Sequence, residues 1–349
     1  MASHRRDFIK RFGLSAAGIF TIGVTPFLRA WGGTKSTTGA AVATTILTDS
    51  PASNFKLSLA QWSLHRRFFG DSLDKGLSFF GKTLMQDPDS LLIGASDPFD
   101  FPAISINEFG INCIELVNTF YYSKAKDSAY WDRFKNQCDA LGVTVNLIMC
   151  DALGNIGDTD DDARRKTVQR HHDWIDIAKQ LGASAVRVNA AGQGTMEEVA
   201  ANVVDGLSQL NAYGLSQGVR VLVENHGGYS SNGQWLAGVM KAVDSVNCGT
   251  LPDFGNFCIE RSASGCINEY DRYLGMEELM PFAQGVSAKA YEFDSDGNEQ
   301  FTDFMRAMTI VKAAGYEGYV GIEYEGSQLS EELGIRATRE LLEKCFARV

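Results

Sequence analysis

From residue 56 onward, short apolar runs alternate with longer stretches in which apolar side chains recur at helical spacing. This alternation indicates parallel β-strands joined by right-handed helical crossovers. Eight strand–helix units over about 290 residues match the size of a (β/α)8 TIM barrel, so the pattern predicts an α/β fold of this class. The eight runs cover residues 56–62, 109–117, 143–149, 185–189, 221–228, 249–256, 285–291 and 318–326.

An open, doubly wound sheet is the alternative architecture for this pattern. Such a sheet normally carries a glycine-rich, phosphate-binding turn after its first strand. Here residues 63–67 after the first run read Ser-Leu-His-Arg-Arg, so the barrel is favoured. The following segment, 68–101, is rich in Gly, Asp, Phe and Pro. An insertion of this length serves either as a lid or binding loop or as a surface elaboration, and both interpretations stay open.

The start of the chain has the pattern of a targeting signal. Arg5 and Arg6 precede a Phe-Ile-Lys triplet, and a Gly- and Ala-rich apolar run covers 12–28. This resembles a twin-arginine export signal, which is read by a receptor and is not part of the folded domain. We expect a signal peptide at 1–33, a linker at 34–54 and the barrel at 55–349, with the twin-arginine export machinery as a partner and a periplasmic or exported destination. The alternatives are a cytosolic chain with a basic start and an uncleaved leader that anchors the chain to a membrane.

Composition limits the classes of partner. The 349 residues are 44% hydrophobic and 21% charged, which is ordinary for a globular domain. A formal net charge of -11 argues against nucleic acid as a partner, because phosphate binding needs a basic surface. Seven cysteines without CxxC spacing argue against a structural zinc site or a disulfide framework. Pairing of Cys258 with Cys266 outside the cytosol, and association into a homo-oligomer, are left open.

Titratable or metal-ligating residues stand where the last four strands end. Because the carboxyl ends of parallel strands meet on one face of a barrel, these side chains are expected to form a common polar centre. A buried charge costs several kcal/mol unless it is paired or bound to a metal, so such a centre predicts a functional site. The residues are Glu224 and His226, Asp253 and Asn256, Ser287 and Lys289, and Glu323 and Glu325.

The ends of the first, second and fourth strands add further polar and aromatic side chains to the same face. Arg187 offers a two-pronged clamp for a carboxylate or a pair of hydroxyls. The ring of Trp62 is of the kind that stacks on a sugar. Together with Asn256 and Glu325, the residues expected to contact substrate are Gln61, Trp62, Glu115, Asn118, Arg187 and Asn189.

Three of the strand-end carboxylates carry a family resemblance. Glu224, Asp253 and Glu323, with the second-strand segment 109–115, resemble the xylose-isomerase-like TIM barrels. This is the sugar phosphate isomerase/epimerase superfamily, which also includes an apurinic endonuclease branch. The resemblance covers about residues 56–349. It implies a divalent cation held by Glu on the fifth strand, Asp on the sixth, His on the seventh and Glu on the eighth.

The chain departs from the family pattern at two positions. Ser287 stands where the family has its seventh-strand histidine, and Asn256 stands where many members have a histidine after the sixth strand. Serine is a poor ligand for a transition metal, so two replacements are open. Either His226 supplies the nitrogen ligand beside the three carboxylates, or Lys289 takes the place of the cation. Manganese, magnesium, zinc and cobalt are not separated by the sequence.

The resemblance also implies a reaction. Glu224 and Glu323 would move protons at a carbon next to a carbonyl, with Lys289 and His226 as further catalytic residues. The expected function is an exported isomerase or epimerase acting on a small-molecule sugar or keto-sugar, with a divalent metal. The alternatives are a lyase or hydratase acting on 3-keto-sugars or keto-glycosides, and a non-catalytic sugar-binding barrel. The acidic charge argues against the endonuclease branch, and the lack of a basic phosphate cradle favours an unphosphorylated substrate.

Overall fold

The computed structural model describes residues 54–349. The predicted signal peptide at 1–33, and all but the last residue of the predicted linker at 34–54, lie outside the described residues. None of the helices in residues 54–349 combines the length and apolar character needed to span a membrane.

Eight parallel strands form the wall of a nearly closed barrel. They are β1 (Lys56–Ala60), β2 (Cys113–Val117), β3 (Thr144–Met149), β4 (Ala185–Asn189), β5 (Arg220–Glu224), β6 (Cys248–Leu251), β9 (Val286–Ala290) and β10 (Tyr319–Tyr324). Neighbours pair in the order β6-β5-β4-β3-β2-β1-β10-β9. Isolated parallel bridges, Thr250 to Ala283 and Asp253 to Ser287, connect the two ends of this sheet. The predicted (β/α)8 barrel is therefore confirmed.

Helices follow the strands around the outside of the barrel. They are α1 (His65–Phe69), α2 (Leu77–Gln86), α3 (Phe101–Phe109), α4 (Ser128–Leu141), α5 (Asp161–Leu181), α6 (Met196–Gln217), α7 (Gly233–Val243), α8 (Arg272–Leu279), α9 (Phe304–Ala313) and α10 (Glu331–Phe346). Side chains in the chain's own loops cap several of them. Asp160 accepts a 2.7 Å hydrogen bond from the Ala163 amide, and Thr195 forms a reciprocal capping box with Glu198. Such caps satisfy amides that have no partner within the helix.

The barrel wall is buried on both faces. Along β5, Val221, Leu222, Val223 and Glu224 are all buried, as expected of a parallel strand covered by helices outside and by side chains inside. The interior also holds Glu115 of β2, which approaches the backbone of β10 at Gly321. A Cβ at Gly321 would lie 2.7 Å from Glu115 Oε2, so glycine here leaves room for the carboxyl in its observed position. Glu115 thus lies one layer deeper in the barrel than Glu323.

The insertion after β1 packs against the loop that follows β2. Phe69 of α1 stacks on Phe120 with ring centroids 4.4 Å apart, and Phe80 of α2 meets Phe69 edge-on at 4.9 Å. The insertion begins at the carboxyl end of β1, and the loop that it contacts begins at the carboxyl end of β2. The insertion therefore forms an apolar wall beside the barrel mouth.

A second elaboration follows β6. The antiparallel strands β7 (Cys258–Ser262) and β8 (Gly265–Glu269) form a hairpin. A disulfide joins Cys258 to Cys266 across the hairpin. The pairing that the sequence left open is therefore present in the structure. The five other cysteines are buried and free.

Candidate active site

Three carboxylates meet at the carboxyl ends of the barrel strands. Glu224 is the last residue of β5, Asp253 follows β6, and Glu323 is the last but one residue of β10. All three are buried, and each has an oxygen within 4.8 Å of an oxygen of the other two. The structure therefore brings together the three carboxylates that the strand ends predicted.

Each of these carboxylates is held through one oxygen. Asn256 Nδ2 donates to Glu224 Oε1 at 3.0 Å, and Lys289 Nζ donates to Glu323 Oε1 at 2.9 Å. Asp253 Oδ1 accepts two backbone hydrogen bonds of 2.8 Å, from the amides of Gly255 and Asn256. This arrangement orients the carboxylates and leaves one further oxygen on each, namely Glu224 Oε2, Asp253 Oδ2 and Glu323 Oε2.

Ser287 lies between two of these remaining oxygens. Its Oγ is 2.7 Å from Asp253 Oδ2 and 3.0 Å from Glu323 Oε2. A serine hydroxyl has one hydrogen, so it donates to only one carboxylate at a time. The second contact is attractive only when that carboxyl carries a proton or when a cation offsets the charge.

Two buried cations balance part of the negative charge. Arg187 of β4 contacts Asp151 Oδ1 through Nη1 at 2.6 Å and Glu224 Oε2 through Nε at 2.7 Å. The second contact is an ion pair without hydrogen-bond geometry, since neither Arg187 Nε nor Glu224 Oε2 has a hydrogen-bond partner. Lys289 of β9 bridges Glu323 at 2.9 Å and Glu325 Oε1 at 3.1 Å.

The backbone makes room for Lys289. A Cβ at Gly255 would lie 2.9 Å from Lys289 Cγ and 3.1 Å from the ring of Tyr291. Glycine at this position therefore allows the loop after β6 to pass close to the lysine stem.

Burial and charge shift the pKa values of these groups in opposite directions. Burial raises the pKa of Glu224 to about 7, against the opposing charge of Arg187, and raises that of Asp253 to about 7, against Lys289. Burial also opposes the charge on Asp151, but Arg187 outweighs it and lowers the pKa of Asp151 to about 2. Lys289 keeps a pKa well above its usual range because the charges of Glu323 and Glu325 outweigh its burial.

His226 does not join the three carboxylates. Its side chain is exposed at the mouth, and its backbone amide donates to Ser230 Oγ at 2.9 Å. Although the side chain reaches solvent, the surrounding protein and then the charge of Arg187 lower its pKa. Among residues 54–349 the group able to hold a metal consists of Glu224, Asp253 and Glu323, without His226.

Several predicted substrate contacts are engaged by the protein itself. Gln61 donates to Tyr121 Oη at 2.8 Å and accepts from the Val117 amide at 3.2 Å. Asn118 exchanges two hydrogen bonds with the backbone of Asp151, of 2.9 and 2.8 Å. These side chains therefore join loops at the mouth.

Glu115 and Trp62 also have protein partners. Glu115 Oε1 accepts from Ser58 at 2.7 Å and from Asn146 at 2.9 Å, and burial raises the pKa of this carboxyl to about 7. The half-buried Trp62 stacks on His65 with ring centroids 5.3 Å apart. Of the remaining predicted contacts, Asn189 donates to Asp151 Oδ1 at 2.8 Å, while Asn256 and Glu325 contact the cluster as described.

Asp151 pairs with Arg187 of the cluster, and His65 lies close enough to Glu325 for their charges to interact, but neither was among the predicted residues. Asp151 follows β3 by two residues, so the strand-end rule that identified the other carboxylates would also have found it. His65 comes after the short turn 61–64 that ends β1, and its pKa is lowered by burial against the opposing charge of Glu325. The signal for His65 was weaker, because a turn separates it from its strand.

The donor set fits a divalent cation. Four carboxylates pair with the cations Arg187 and Lys289, and Asp253 adds a fifth carboxylate held by hydrogen bonds, so the cluster has an excess of negative charge. Glu224 Oε2 is buried without a hydrogen bond, although it lies 2.7 Å from Arg187 Nε. Hard divalent cations bind carboxylate oxygens. Glu224, Asp253 and Glu323 are the residues that would hold the ion.

The chain belongs to the family described as xylose isomerase-like TIM barrel, whose pattern matches residues 105–345. No curated protein has a significant sequence match to the chain.

Solved structures share the fold at low sequence identity. A D-tagatose 3-epimerase-like protein is 18% identical, with 83% of this chain and 98% of that one aligned at a TM-score of 0.58. A xylose isomerase-like TIM barrel protein from Mycobacterium smegmatis, in complex with magnesium, is 16% identical over 84% of this chain and 98% of that one, with a TM-score of 0.58. The 3-keto-D-glucoside 4-epimerase from E. coli is 14% identical over 83% and 99%, with a TM-score of 0.56.

Proposed function

We propose that this protein is an exported isomerase or epimerase that moves a proton at a carbon next to a carbonyl in an unphosphorylated sugar or keto-sugar, with a divalent cation. The observation that carries the proposal is the convergence of the buried carboxylates Glu224, Asp253 and Glu323, which have oxygens within 4.8 Å of one another. A bound divalent cation would polarise the carbonyl and stabilise negative charge on its oxygen.

Within this proposal, Glu224 and Glu323 accept and return the proton. Glu224 suits the role of a base near neutral pH, because burial raises its pKa to about 7. Lys289 keeps Glu323 oriented through the 2.9 Å contact and supplies positive charge beside it. Arg187 supplies positive charge beside Glu224 on the other side of the cluster.

The charges of the mouth favour a neutral substrate. Both cations of the cluster are already paired with carboxylates, and the partly exposed carboxylates Asp151 and Glu325 border the mouth. Carboxylates accept hydrogen bonds from sugar hydroxyls and repel a phosphate. Among the solved structures with this fold are enzymes named for ketoses and for a 3-keto-glucoside, which supports neutral sugars and keto-sugars as the class to assay.

Proton exchange in heavy water tests the reaction. The full-length protein, with MgCl2 or MnCl2, would be incubated with neutral ketoses, 3-keto-glucosides and the corresponding sugar phosphates, and exchange at the carbon next to the carbonyl followed by NMR. We expect exchange with at least one neutral sugar or keto-sugar, and weaker or no exchange with the phosphates. Absence of exchange with every carbonyl sugar would contradict the proposal, and net loss of water from a 3-keto-sugar would favour a lyase.

Binding without turnover is the outcome expected of a purely sugar-binding barrel. The Glu323→Gln variant distinguishes an enzyme from a sugar-binding protein, because it removes the proton acceptor and keeps a hydrogen-bonding side chain. In an enzyme, exchange is lost while affinity for the sugar is retained. In a sugar-binding protein, neither form turns over and only affinity changes.

Export is proposed from the twin-arginine pattern and supported by the disulfide between Cys258 and Cys266, since disulfides persist in oxidising compartments. Cell fractionation tests it with the full-length chain and with an Arg5→Lys, Arg6→Lys double variant. We expect the wild type in the exported fraction and the variant in the cytosol. Equal distribution of both forms would contradict export by this route.

A further inference from the structure

The potential ligands of the central cluster are all oxygen atoms. Glu224, Asp253 and Glu323 contribute carboxylates, and the Ser287 hydroxyl lies within 3.0 Å of two of them. In the part of the chain that the structure describes, no histidine or cysteine belongs to this group. His226 lies exposed at the mouth, and the free cysteines are buried elsewhere in the fold.

The position of Ser287 gives it a particular influence on the cluster. Its Oγ occupies the space between Asp253 Oδ2 and Glu323 Oε2, the two oxygens that no other protein group holds. The side chain is only 1% exposed, so the atom at this position belongs to the interior of the cluster. A nitrogen donor placed there would lie among the same carboxylate oxygens.

We infer that Ser287 sets the metal preference of this site by keeping it free of nitrogen, so that it takes hard cations such as Mg2+ and Mn2+ and lacks a strong preference for Zn2+. The inference rests on the proposed function for the presence of a cation. The physical reason is that carboxylate and hydroxyl oxygens suit magnesium and manganese, whereas imidazole raises affinity for zinc. Absolute affinities for zinc are high in most sites, so the preference is measured as a ratio.

Calorimetric titration with MnCl2 and with ZnCl2 measures that ratio in the wild type and in Ser287→His. We expect the variant to gain at least about tenfold in affinity for Zn2+ relative to Mn2+. Ser287→Ala, which adds no nitrogen, should keep a ratio close to that of the wild type. Thr309→His, which adds a histidine at an exposed position of α9, controls for zinc binding at the surface.

The larger side chain of Ser287→His could prevent folding, so the ligands are also observed directly in the wild type. X-ray absorption at the zinc edge of zinc-loaded wild-type protein should show oxygen ligands without imidazole scattering. Imidazole scattering that disappears in His226→Ala would show that His226 moves into the site, and it would overturn the inference. An unchanged Zn2+ to Mn2+ ratio in folded Ser287→His, or no binding of any of these metals by the wild type, would also overturn it.

These outcomes are separate from those of the exchange assay. Metal binding with the expected ratio but without proton exchange would contradict the proposed reaction and leave the role of Ser287 intact. Proton exchange with imidazole on the metal would support the proposed reaction and contradict the role of Ser287.

Discussion

The two sides of the barrel mouth use the same charge arrangement with different cations. On the β3–β5 side, Arg187 connects the deep carboxylate Glu224 to Asp151 at the rim. On the β9–β10 side, Lys289 connects the deep carboxylate Glu323 to Glu325 at the rim. The rim carboxylates Asp151 and Glu325 are each 26% exposed, while their cations are almost fully buried.

The difference lies in what each cation must balance. Arginine is a planar group that cannot lose its charge, and Arg187 serves two carboxylates. Lysine is a point charge on a flexible stem, and on its side the third carboxylate, Asp253, has only backbone amides and the Ser287 hydroxyl as hydrogen-bond donors. The excess of negative charge therefore lies on the lysine side, where an added cation would stabilise the site most.

Removing the deep carboxylate on each side should have the largest effect. Glu224→Gln and Glu323→Gln are each expected to lower the rate of proton exchange by about 10²- to 10⁴-fold, because each removes a group that accepts or returns the proton. NMR exchange in heavy water measures this, with Glu317→Gln, at an exposed position, as the control. If only one of the two variants loses activity, the two sides do not share the chemistry.

Removing the cation on each side should lower the free energy of unfolding. Arg187→Met and Lys289→Met each leave buried carboxylates without their ion-pair partner, and a loss of about 3–5 kcal/mol in the free energy of unfolding is expected. Urea denaturation measures it, with Lys241→Met, at an exposed position, as the control. Added MnCl2 should recover part of the loss in Lys289→Met and little in Arg187→Met. Equal recovery in both would contradict an excess of negative charge on the lysine side.

Glu115, one layer deeper, is a reference for a buried carboxyl without a cation in contact. Burial raises its pKa to about 7 in the folded protein, above the ordinary value of the unfolded chain. The folded state therefore keeps the proton to higher pH, and the stability contributed by this group falls as pH rises from about 4 to about 7. Relative to wild type, Glu115→Gln should gain about 2 kcal/mol in unfolding free energy between pH 5 and pH 8. Urea denaturation at both pH values measures it, and a pH-independent difference would show that Glu115 stays ionised.

Changing the rim carboxylates should have the smallest effect. Asp151→Asn and Glu325→Gln are each expected to raise KM for a neutral sugar by about three- to tenfold, since each weakens a hydrogen bond from a sugar hydroxyl to a charged acceptor. The value of kcat should change less than KM. Steady-state kinetics on the sugar identified by the exchange assay measure both constants. A fall in kcat with KM unchanged would assign these residues to orienting Arg187 and Lys289 instead of to binding substrate.

Much of the fold could be predicted from local patterns in the sequence. The period of apolar residues predicted all eight barrel strands to within five residues at each end, because the strands are short and largely buried and most are followed by an amphipathic helix. The convergence of Glu224, Asp253 and Glu323 followed as well, since closing a parallel barrel brings all strand ends to one face. The same reasoning applied to the third strand would have included Asp151.

Contacts across the barrel and between loops depended on the folded chain. The pairing of Cys258 with Cys266 required the hairpin of β7 and β8, which has no strong period of its own. The placement of His226 outside the carboxylate cluster depended on the turn of the chain after β5, and the contacts of Ser287 depended on β9 lying between β6 and β10. Alternation along a strand predicts which face a side chain takes, but the distance and direction of its neighbours are decided by the closure of the barrel.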